Sequence, residues 1–381
     1  MARILILHAS VGSGHKRAGE ALRIAFQRRQ PGQVELVDVL AHANPLFRRA
    51  YARSYVQMTD KLPALWSYVY EQTDREIFRY TNDIRALADA IGAWGLRRVL
   101  RDYQPHVIVC THFLPVEVLA ARKARALLPQ PLYCVLTDYA AHLFWAYQNV
   151  DGYFVATDET RAQLIQRGVS PEIIRVTGIP VDPVVTLPKQ REATRAEHNL
   201  PLDRPIITLF GGGLDSSRVR IMIEGLLQSA ITGVMIVVAG RNEGLHADLA
   251  DLQGTGRLEL RMLGFIDYVD DLIVASDVVI TKAGGLTVTE ILGRATPMII
   301  IDPIPGQEES NADYLAAVGA GISIRLPEHV AYAVTRLLDD APRLRQIRET
   351  AARAARPRAA LDIAEAILGD IGERPRGHGG G

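Results

Sequence analysis

Short runs of apolar residues recur along this chain, and helix-length segments separate them. Such runs are typical of strands buried in a parallel sheet, with the intervening segments forming the helices that cover it. A polar stretch with prolines near its edges, Leu187–Asp203, interrupts the pattern, which then begins again. The predicted strands are Arg3–His8, Val34–Val39, Val107–Thr111, Leu132–Thr137 and Gly152–Ala156 before this stretch, and Pro205–Phe210, Val234–Ala239, Leu258–Leu260, Val278–Thr281 and Pro297–Ile301 after it.

The repeated pattern predicts an α/β fold made of two doubly wound, Rossmann-like domains facing a central cleft. A length of 381 residues also favours two domains over one. We expect residues 1–186 to form the first domain, 187–203 the linker and 204–356 the second domain. A helix over 357–373 is expected to return to the first domain, and 374–381 to be a disordered tail.

Composition excludes several classes of protein. The 43 basic and 43 acidic side chains balance, so no nucleic-acid partner is expected. Cys110 and Cys134 lie in apolar runs, which predicts reduced, buried thiols in a cytosolic protein. No apolar run approaches the roughly 18–20 residues of a membrane-spanning helix. The chain passes from Met1 directly into a strand, so no signal peptide is expected.

The second half carries the most specific chemical pattern. Ile280–Glu290 predicts a buried strand, a two-glycine turn and a helix start, an arrangement that presents backbone N–H groups and a helix N-terminus to an anion. Glu290, one turn further on, can reach a ribose diol. Pro305–Asn311 clusters amide and carboxylate side chains suited to sugar hydroxyls. Together they predict a nucleotide-sugar site, with candidate residues Gly284, Gly285, Leu286, Thr287, Glu290, Gln307, Glu308 and Asn311.

Two further turns are candidates for donor binding. The triple-glycine turn Gly211, Gly212 and Gly213 is expected to face the donor phosphates, although a tight turn without a ligand would explain it too. Arg241 ends a strand and is a candidate partner for a diphosphate, with a surface salt bridge as the alternative.

The first half carries a glycine loop, Gly12, Ser13 and Gly14, between its first strand and His15. A histidine at the mouth of such a loop predicts a role in orienting or deprotonating an acceptor hydroxyl, against the alternative of a simple strand-to-helix turn. Asp138 follows another strand and is a second catalytic candidate, with a helix cap as its alternative. His142 and Trp145 are candidates for the acceptor pocket, and helix packing explains them equally well.

Residues 44–104 favour contact with a membrane. Eight of the chain's 24 aromatic residues fall within 44–80, and residues 1–104 contain 16 basic against 10 acidic side chains. Basic residues beside amphipathic rings suit an anionic surface, although ordinary helix packing is the alternative. No metal-binding motif is apparent, so any anionic leaving group would be met by helix N-termini, backbone N–H groups and basic side chains.

Several of these segments resemble the family of monogalactosyldiacylglycerol synthases and processive diacylglycerol glucosyltransferases, which are GT-B enzymes of glycosyltransferase family 28. The matching stretches extend over about residues 3 to 340 and depart from the usual pattern at Leu214-Asp215. They are His8–His15, Thr137-Asp138, Val150–Asp158, Thr177–Val181, Gly240–Asn242, Ile280–Glu290 and Pro305–Asn311.

The resemblance implies an inverting, cofactor-free transfer of glucose or galactose from a UDP-sugar to diacylglycerol, giving a β-linked glycolipid. It implies that the first domain binds acceptor and membrane, and that the second binds the donor. His15 and Asp138 would then serve the acceptor hydroxyl, Glu290 the ribose, and Gln307 and Glu308 the hexose. The backbone of Leu263, Gly264 and Phe265 would meet the uracil edge, which those three residues alone do not indicate.

The expected location is therefore cytoplasmic, peripheral on the inner face of the cell membrane. Three alternatives remain open at this point: a polyprenol-linked sugar as the acceptor, a UDP-sugar 2-epimerase, and a non-catalytic sensor of nucleotide sugars. The choice between glucose and galactose, the number of sugars added and the oligomeric state are also open.

Overall fold

A computed structural model of the chain describes residues 2–10, 12–30, 32–43 and 95–373. The chain divides into two compact units. The first runs to Pro183 and resumes at Arg356, and the second is Val184–Ala355. Of the segment 44–104 that is expected to meet a membrane, residues 44–94 lie outside the described residues, as does the predicted tail at 374–381. No helix in the described part of the chain has both the length and the apolar character needed to cross a membrane.

The first unit is built on a six-stranded parallel sheet with strand order β2-β1-β3-β4-β5-β6. The strands are β1 (Ile4–His8), β2 (Val34–Asp38), β3 (Val107–Cys110), β4 (Leu132–Val135), β5 (Gly152–Val155) and β6 (Ile174–Val176). The helices described in this unit are α1 (Gly14–Arg29), α2 (Gly95–Tyr103), α3 (Phe113–Ala124), α4 (Asp158–Gln166) and α13 (Ala359–Glu373).

Helices cover both faces of this sheet. Along α1 the buried residues recur three or four positions apart, which places them on one stripe against the sheet: Ala18, Ala21, Leu22, Ala25 and Phe26. The last helix, α13, packs beside α1 and adds Ile363 and Ile367 to the same apolar cluster. A second cluster, which includes Leu114 and Leu119 of α3, covers the opposite face.

The second unit repeats the architecture, with strand order β12-β11-β10-β7-β8-β9, again all parallel. Its strands are β7 (Ile206–Phe210), β8 (Gly233–Val238), β9 (Leu258–Leu263), β10 (Val278–Thr281), β11 (Met298–Ile301) and β12 (Gly321–Ile324). Its helices are α5 (Arg191–Glu197), α6 (Ser216–Leu227), α7 (Glu243–Asp248), α8 (Val269–Ala275), α9 (Gly285–Gly293), α10 (Gln307–Ala317), α11 (Val330–Asp339) and α12 (Ala341–Ala354). The prediction of an α/β protein with two Rossmann-like domains is thus confirmed.

The stretch 187–203, predicted as a linker, contains helix α5 and is tied to the second unit. The guanidinium of Arg195, only 5% exposed, donates to the carbonyl of Ala275 at 2.9 Å and to the carboxylate of Asp277 at 2.7 Å. The ammonium of Lys189 lies 2.8 Å from the Asp270 carboxylate. These contacts join residues 80 or more positions apart, so the local polar composition that suggested a linker does not reveal them.

Candidate functional site

In the first unit, the predicted acceptor residues lie at the carboxyl edge of the sheet. His15 is the second residue of α1, and the helix begins without a side-chain cap from Ser13. Gly12, in the loop before it, has φ +79°, in the left-handed region that glycine enters without steric cost. Asp138 and its neighbour Thr137 follow β4, and Thr111 and His112 follow β3. The ends of three adjacent strands, β1, β3 and β4, therefore form this edge.

Hydrogen bonds fix the orientation and the proton of His15. Its Nδ1 lies 2.8 Å from the carbonyl oxygen of Thr111 and 3.1 Å from Oγ1 of Thr137. Because a carbonyl can only accept, Nδ1 carries the hydrogen, and in the neutral ring Nε2 is left with a free lone pair. Burial lowers the pKa of His15 to about 4, so the ring is neutral near pH 7. Nε2 is therefore the atom of His15 that can accept a hydrogen bond.

A second histidine, His112, lies against His15 and was not singled out from the sequence. Its ring is 2% exposed and contacts the His15 ring edge to face, with centroids 4.4 Å apart. Nδ1 of His112 accepts a hydrogen bond from the backbone N–H of Leu114 at 3.0 Å and caps α3. Burial holds the pKa of His112 well below its usual range, so this ring is neutral with its hydrogen on Nε2. The signal that could have found it is its position directly after a buried strand, as for Asp138.

Asp138, His142 and Trp145 are all buried near this edge. No helix begins directly after Asp138, which is 8% exposed; the next helical turn, Leu143–Trp145, is capped by Nδ1 of His142. The Trp145 ring lies 6.4 Å from that of His15 between centroids and packs edge to face on Phe113. The residue that caps a helical turn in this segment is therefore His142. Asp138 directly follows Thr137, whose Oγ1 lies 3.1 Å from Nδ1 of His15.

In the second unit, the two helix starts beside the glycine turns differ in their capping. Helix α9 begins at Gly285, and its cap residue, Gly284, has no side chain to offer to the first N–H groups. Helix α6, after the triple glycine, is capped by the Asp215 carboxylate, which accepts from the N–H of Ser217 at 3.0 Å and of Arg218 at 3.3 Å. Since a carboxylate already serves α6, the start of α9 is the better anion site.

The triple-glycine turn packs closely against neighbouring loops, which leave little space for a side chain at these glycines. A Cβ at Gly213 would lie 2.9 Å from Cε of Lys282, and one at Gly212 would lie 3.2 Å from the carbonyl oxygen of Ala239. A Cβ at Gly211 would press on the Leu245 side chain at 2.9 Å. The turn therefore lies between the loop after β10 and the loop after β8.

The loop after β11 meets the loop after β10 through two side chains. Glu308, 7% exposed, lies 3.0 Å from Nζ of Lys282 through Oε1 and accepts the backbone N–H of Ile304 at 3.0 Å through Oε2. Asn311, fully buried, donates to the carbonyl of Ala283 at 2.9 Å. Lys282, which lies within the predicted segment Ile280–Glu290, thus contacts a candidate site residue although no role was predicted for it. The side chain of Gln307 lies outside the described part of the structure.

The remaining donor candidates fall on α9 and on the loops after β8 and β9. Glu290 and Leu286 are buried on α9, and Thr287 is half-buried there. The exposed guanidinium of Arg241 lies over the ring of Phe265, 4.6 Å from its centroid, so Arg241 stacks on an aromatic ring. Leu263 ends β9 and Gly264 follows it directly. Within the described ranges, no group of three or more His, Cys, Asp or Glu side chains is placed to hold a metal ion.

Comparison with known proteins gives matches over both units. Residues 15–181 match the family model for monogalactosyldiacylglycerol (MGDG) synthase, and residues 206–366 match that for the glycosyltransferase family 28 C-terminal domain. The chain is 29% identical to a processive diacylglycerol beta-glucosyltransferase of Bacillus cereus (strain B4264) over 381 residues, covering 98% of this chain and 95% of that protein.

Two solved structures share the fold. MurG of Acinetobacter baumannii has a TM-score of 0.64 at 16% identity, covering 97% of this chain and 100% of that one. A putative UDP-N-acetylglucosamine 2-epimerase from Listeria monocytogenes has a TM-score of 0.65 at 15% identity, covering 99% and 98%. At such identities both structures bear on the fold alone.

Proposed function

Because this chain belongs to the monogalactosyldiacylglycerol synthase and processive diacylglycerol glucosyltransferase family, we propose that it is a hexosyltransferase acting on diacylglycerol with a UDP-sugar as donor. The hexose, glucose or galactose, passes with inversion to the free hydroxyl of 1,2-diacylglycerol and yields β-monohexosyldiacylglycerol. The observation that carries the proposal is the neutral His15, whose Nε2 is left as a hydrogen-bond acceptor by the bond between Nδ1 and the Thr111 carbonyl. Through Nε2, His15 can accept a hydrogen bond from the lipid hydroxyl and orient it for deprotonation by Asp138.

In this mechanism the acceptor hydroxyl gives up its proton as its oxygen attacks the anomeric carbon of the donor. The bond from that carbon to the diphosphate oxygen breaks, and UDP leaves with the electron pair. Asp138 takes the proton, oriented or assisted by His15, whose neighbour Thr137 adjoins Asp138 in the chain. The glycine loop Gly12, Ser13 and Gly14 provides access to this edge, and the acceptor pocket also includes His142 and Trp145.

The donor binds to the second unit in this proposal. The open N-terminus of α9 at Gly284-Gly285 binds the diphosphate, and Glu290 on the same helix binds the ribose diol. Arg241 and the backbone of Leu263, Gly264 and Phe265 serve the nucleotide. The hexose is recognised by Gln307, Glu308 and Asn311. The proposed mechanism uses no metal, so backbone N–H groups and basic side chains stabilise the negative charge of the leaving diphosphate.

We also propose that the protein acts as a peripheral enzyme at the inner, anionic face of the cell membrane. Diacylglycerol resides in membranes, so the enzyme must reach it at a lipid surface. The support for electrostatic attraction comes from composition, since residues 1–104 carry 16 basic against 10 acidic side chains.

A lipid-product assay tests the reaction. Purified protein is given diacylglycerol in anionic vesicles with UDP-glucose or UDP-galactose separately, and products are analysed by mass and by the anomeric NMR coupling. A β-hexosyl diacylglycerol from one donor would support the proposal and identify the sugar. An α-linked product would refute inversion, and conversion of the UDP-sugar without acceptor would indicate an epimerase. Product only with a polyprenol-linked sugar would replace the acceptor.

A further inference from the structure

The second unit holds a lysine and a glutamate whose pairing adds a second role to the one that the family resemblance gives to the glutamate. Glu308 is expected to bind the hexose, yet both of its carboxylate oxygens already have partners. Oε1 lies 3.0 Å from Nζ of Lys282, and Oε2 accepts the backbone N–H of Ile304 at 3.0 Å. A hexose hydroxyl that donates to Oε1 would therefore share this oxygen with Lys282, since a carboxylate oxygen can accept more than one hydrogen bond.

The two members of the pair differ in freedom to move. Glu308 is 7% exposed, and its Oε2 is anchored to the backbone of its own loop. The Lys282 side chain is 30% exposed and reaches Glu308 through four flexible methylene groups. When the pair separates, we expect Lys282 to move and Glu308 to stay.

Lys282 also lies beside the proposed diphosphate site. It is two residues before Gly284, the cap of α9, and a Cβ placed on Gly284 would come within 3.5 Å of Oε1 of Glu308. The Lys282 ammonium itself lies where a Cβ on Gly213 would be 3.3 Å away. A cation and a carboxylate thus flank a helix start suited to an anion.

We propose that Glu308 competes with the diphosphate for Lys282 and thereby promotes release of UDP after transfer; this rests on the proposed function. With a UDP-hexose bound, Lys282 pairs with the diphosphate, and Oε1 of Glu308 accepts a hydroxyl of the hexose. When the hexose has left with the acceptor, Glu308 loses that hydroxyl and its charge faces UDP directly. Lys282 then returns to Glu308, and UDP loses its cation.

Calorimetric binding to the full-length protein tests this with UDP, uridine and UDP-glucose or UDP-galactose, in the absence of acceptor lipid. Lys282→Met should weaken UDP binding about 10- to 100-fold, as loss of a charge-assisted hydrogen bond does, and leave uridine binding unchanged. Glu308→Gln should have the opposite effect and tighten UDP binding roughly 3- to 10-fold, because a carboxylate that competes for Lys282 is removed. The same variant should bind the UDP-hexose no more tightly than the wild type.

Arg257→Met is the matched control, because Arg257 is an exposed cation at the amino end of β9, the opposite edge of the same sheet. It should leave UDP binding unchanged. Uridine affinity and thermal unfolding report whether each variant is folded, and Lys282→Arg, which keeps the charge, should restore most of the UDP affinity.

Two results would overturn the inference while leaving the proposed function intact. In one, Lys282→Met binds UDP as the wild type does. In the other, Glu308→Gln weakens UDP binding as Lys282→Met does, which would make Glu308 a support for Lys282 and not its competitor. Wild-type protein that binds neither UDP nor a UDP-hexose would instead refute the proposed function, and this inference with it.

Discussion

The histidine at the start of α1 makes a quantitative prediction about acid. Burial lowers the pKa of His15 to about 4 in the folded protein, against about 6.5 in an unfolded chain. Between pH 6.5 and pH 4 the His15 imidazole is protonated in the unfolded chain and neutral in the folded protein, so the free energy of unfolding falls as the pH falls. The contribution of His15 to the free energy of unfolding is fully present above pH 6.5, and it is lost progressively between pH 6.5 and pH 4.

The magnitude follows from the two pKa values. Moving from pH 7 to pH 5 should cost about 2 kcal/mol of unfolding free energy from His15 alone. Burial lowers the pKa of His8 and His112 as well, so these residues add a cost of the same sign. The comparison that isolates His15 is therefore the wild type against His15→Gln, whose stability should fall by about 2 kcal/mol less over the same range.

The assay is urea unfolding of the full chain followed by tryptophan fluorescence. The chain has three tryptophans, Trp66, Trp94 and Trp145, of which Trp145 is buried in the first unit and reports on it. An NMR titration of the ring of His15 gives an independent value. Equal pH dependence of the two proteins, or a His15 ring that titrates near pH 6.5, would refute the assignment of a buried, neutral imidazole.

Three further predictions concern other parts of the chain. Asp138→Asn should lower kcat by about 10²–10⁴-fold while UDP binding survives, whereas Asp158→Asn, at the exposed start of α4, should leave turnover near normal in the same assay. Gly178→Ala should cost about 2–4 kcal/mol in thermal unfolding, because φ is +95° and an added Cβ would lie 2.7 Å from a neighbouring Cβ. Gly319→Ala, with φ +74° and open space around it, should cost only about 1 kcal/mol, and equal losses would contradict the clash. Arg195→Met should destabilise the second unit by about 1–3 kcal/mol in urea unfolding, because the carbonyl of Ala275 and the carboxylate of Asp277 lose a buried donor. Asp277 keeps Arg191 as a partner, which limits the loss, and no measurable change would disprove the reasoning.

Much of the fold could be predicted because the central strands are uniformly apolar. β3 and β10 are buried at every position, and such runs stand out in a sequence. The strands without a predicted counterpart, β6 and β12, lie at sheet edges, where exposed and half-buried positions dilute the apolar signal. The other two edge strands, β2 and β9, were predicted although most of their positions are half-buried, so one edge strand of each sheet escaped prediction.

Some residues of the candidate site are marked by local sequence patterns, whereas others are found only through contacts between distant parts of the chain. Glycine turns and the residues next to them are visible locally, so His15, Asp138 and the Gly284-Gly285 turn could be proposed from the sequence, and their roles remain predictions. The contact of His112 with His15, and that of Lys282 with Glu308, joins residues 97 and 26 positions apart, and no local pattern encodes it. The capping of α6 by Asp215 is different, because it joins residues two and three positions apart, and an Asp directly before a helix is a sequence signal that could have indicated it.

The return of the chain to its first unit has a consequence during synthesis. Helix α13 (Ala359–Glu373) completes an apolar layer over β1 and β3, yet the ribosome makes it only after all of Val184–Ala355. At about 5–20 residues per second, the nascent sheet waits roughly 10 to 35 s for Ile363 and Ile367 to cover it. The unit that comes second in the sequence can therefore be the first to finish folding, and a nascent-chain chaperone would find its binding surface on the sheet that was made first.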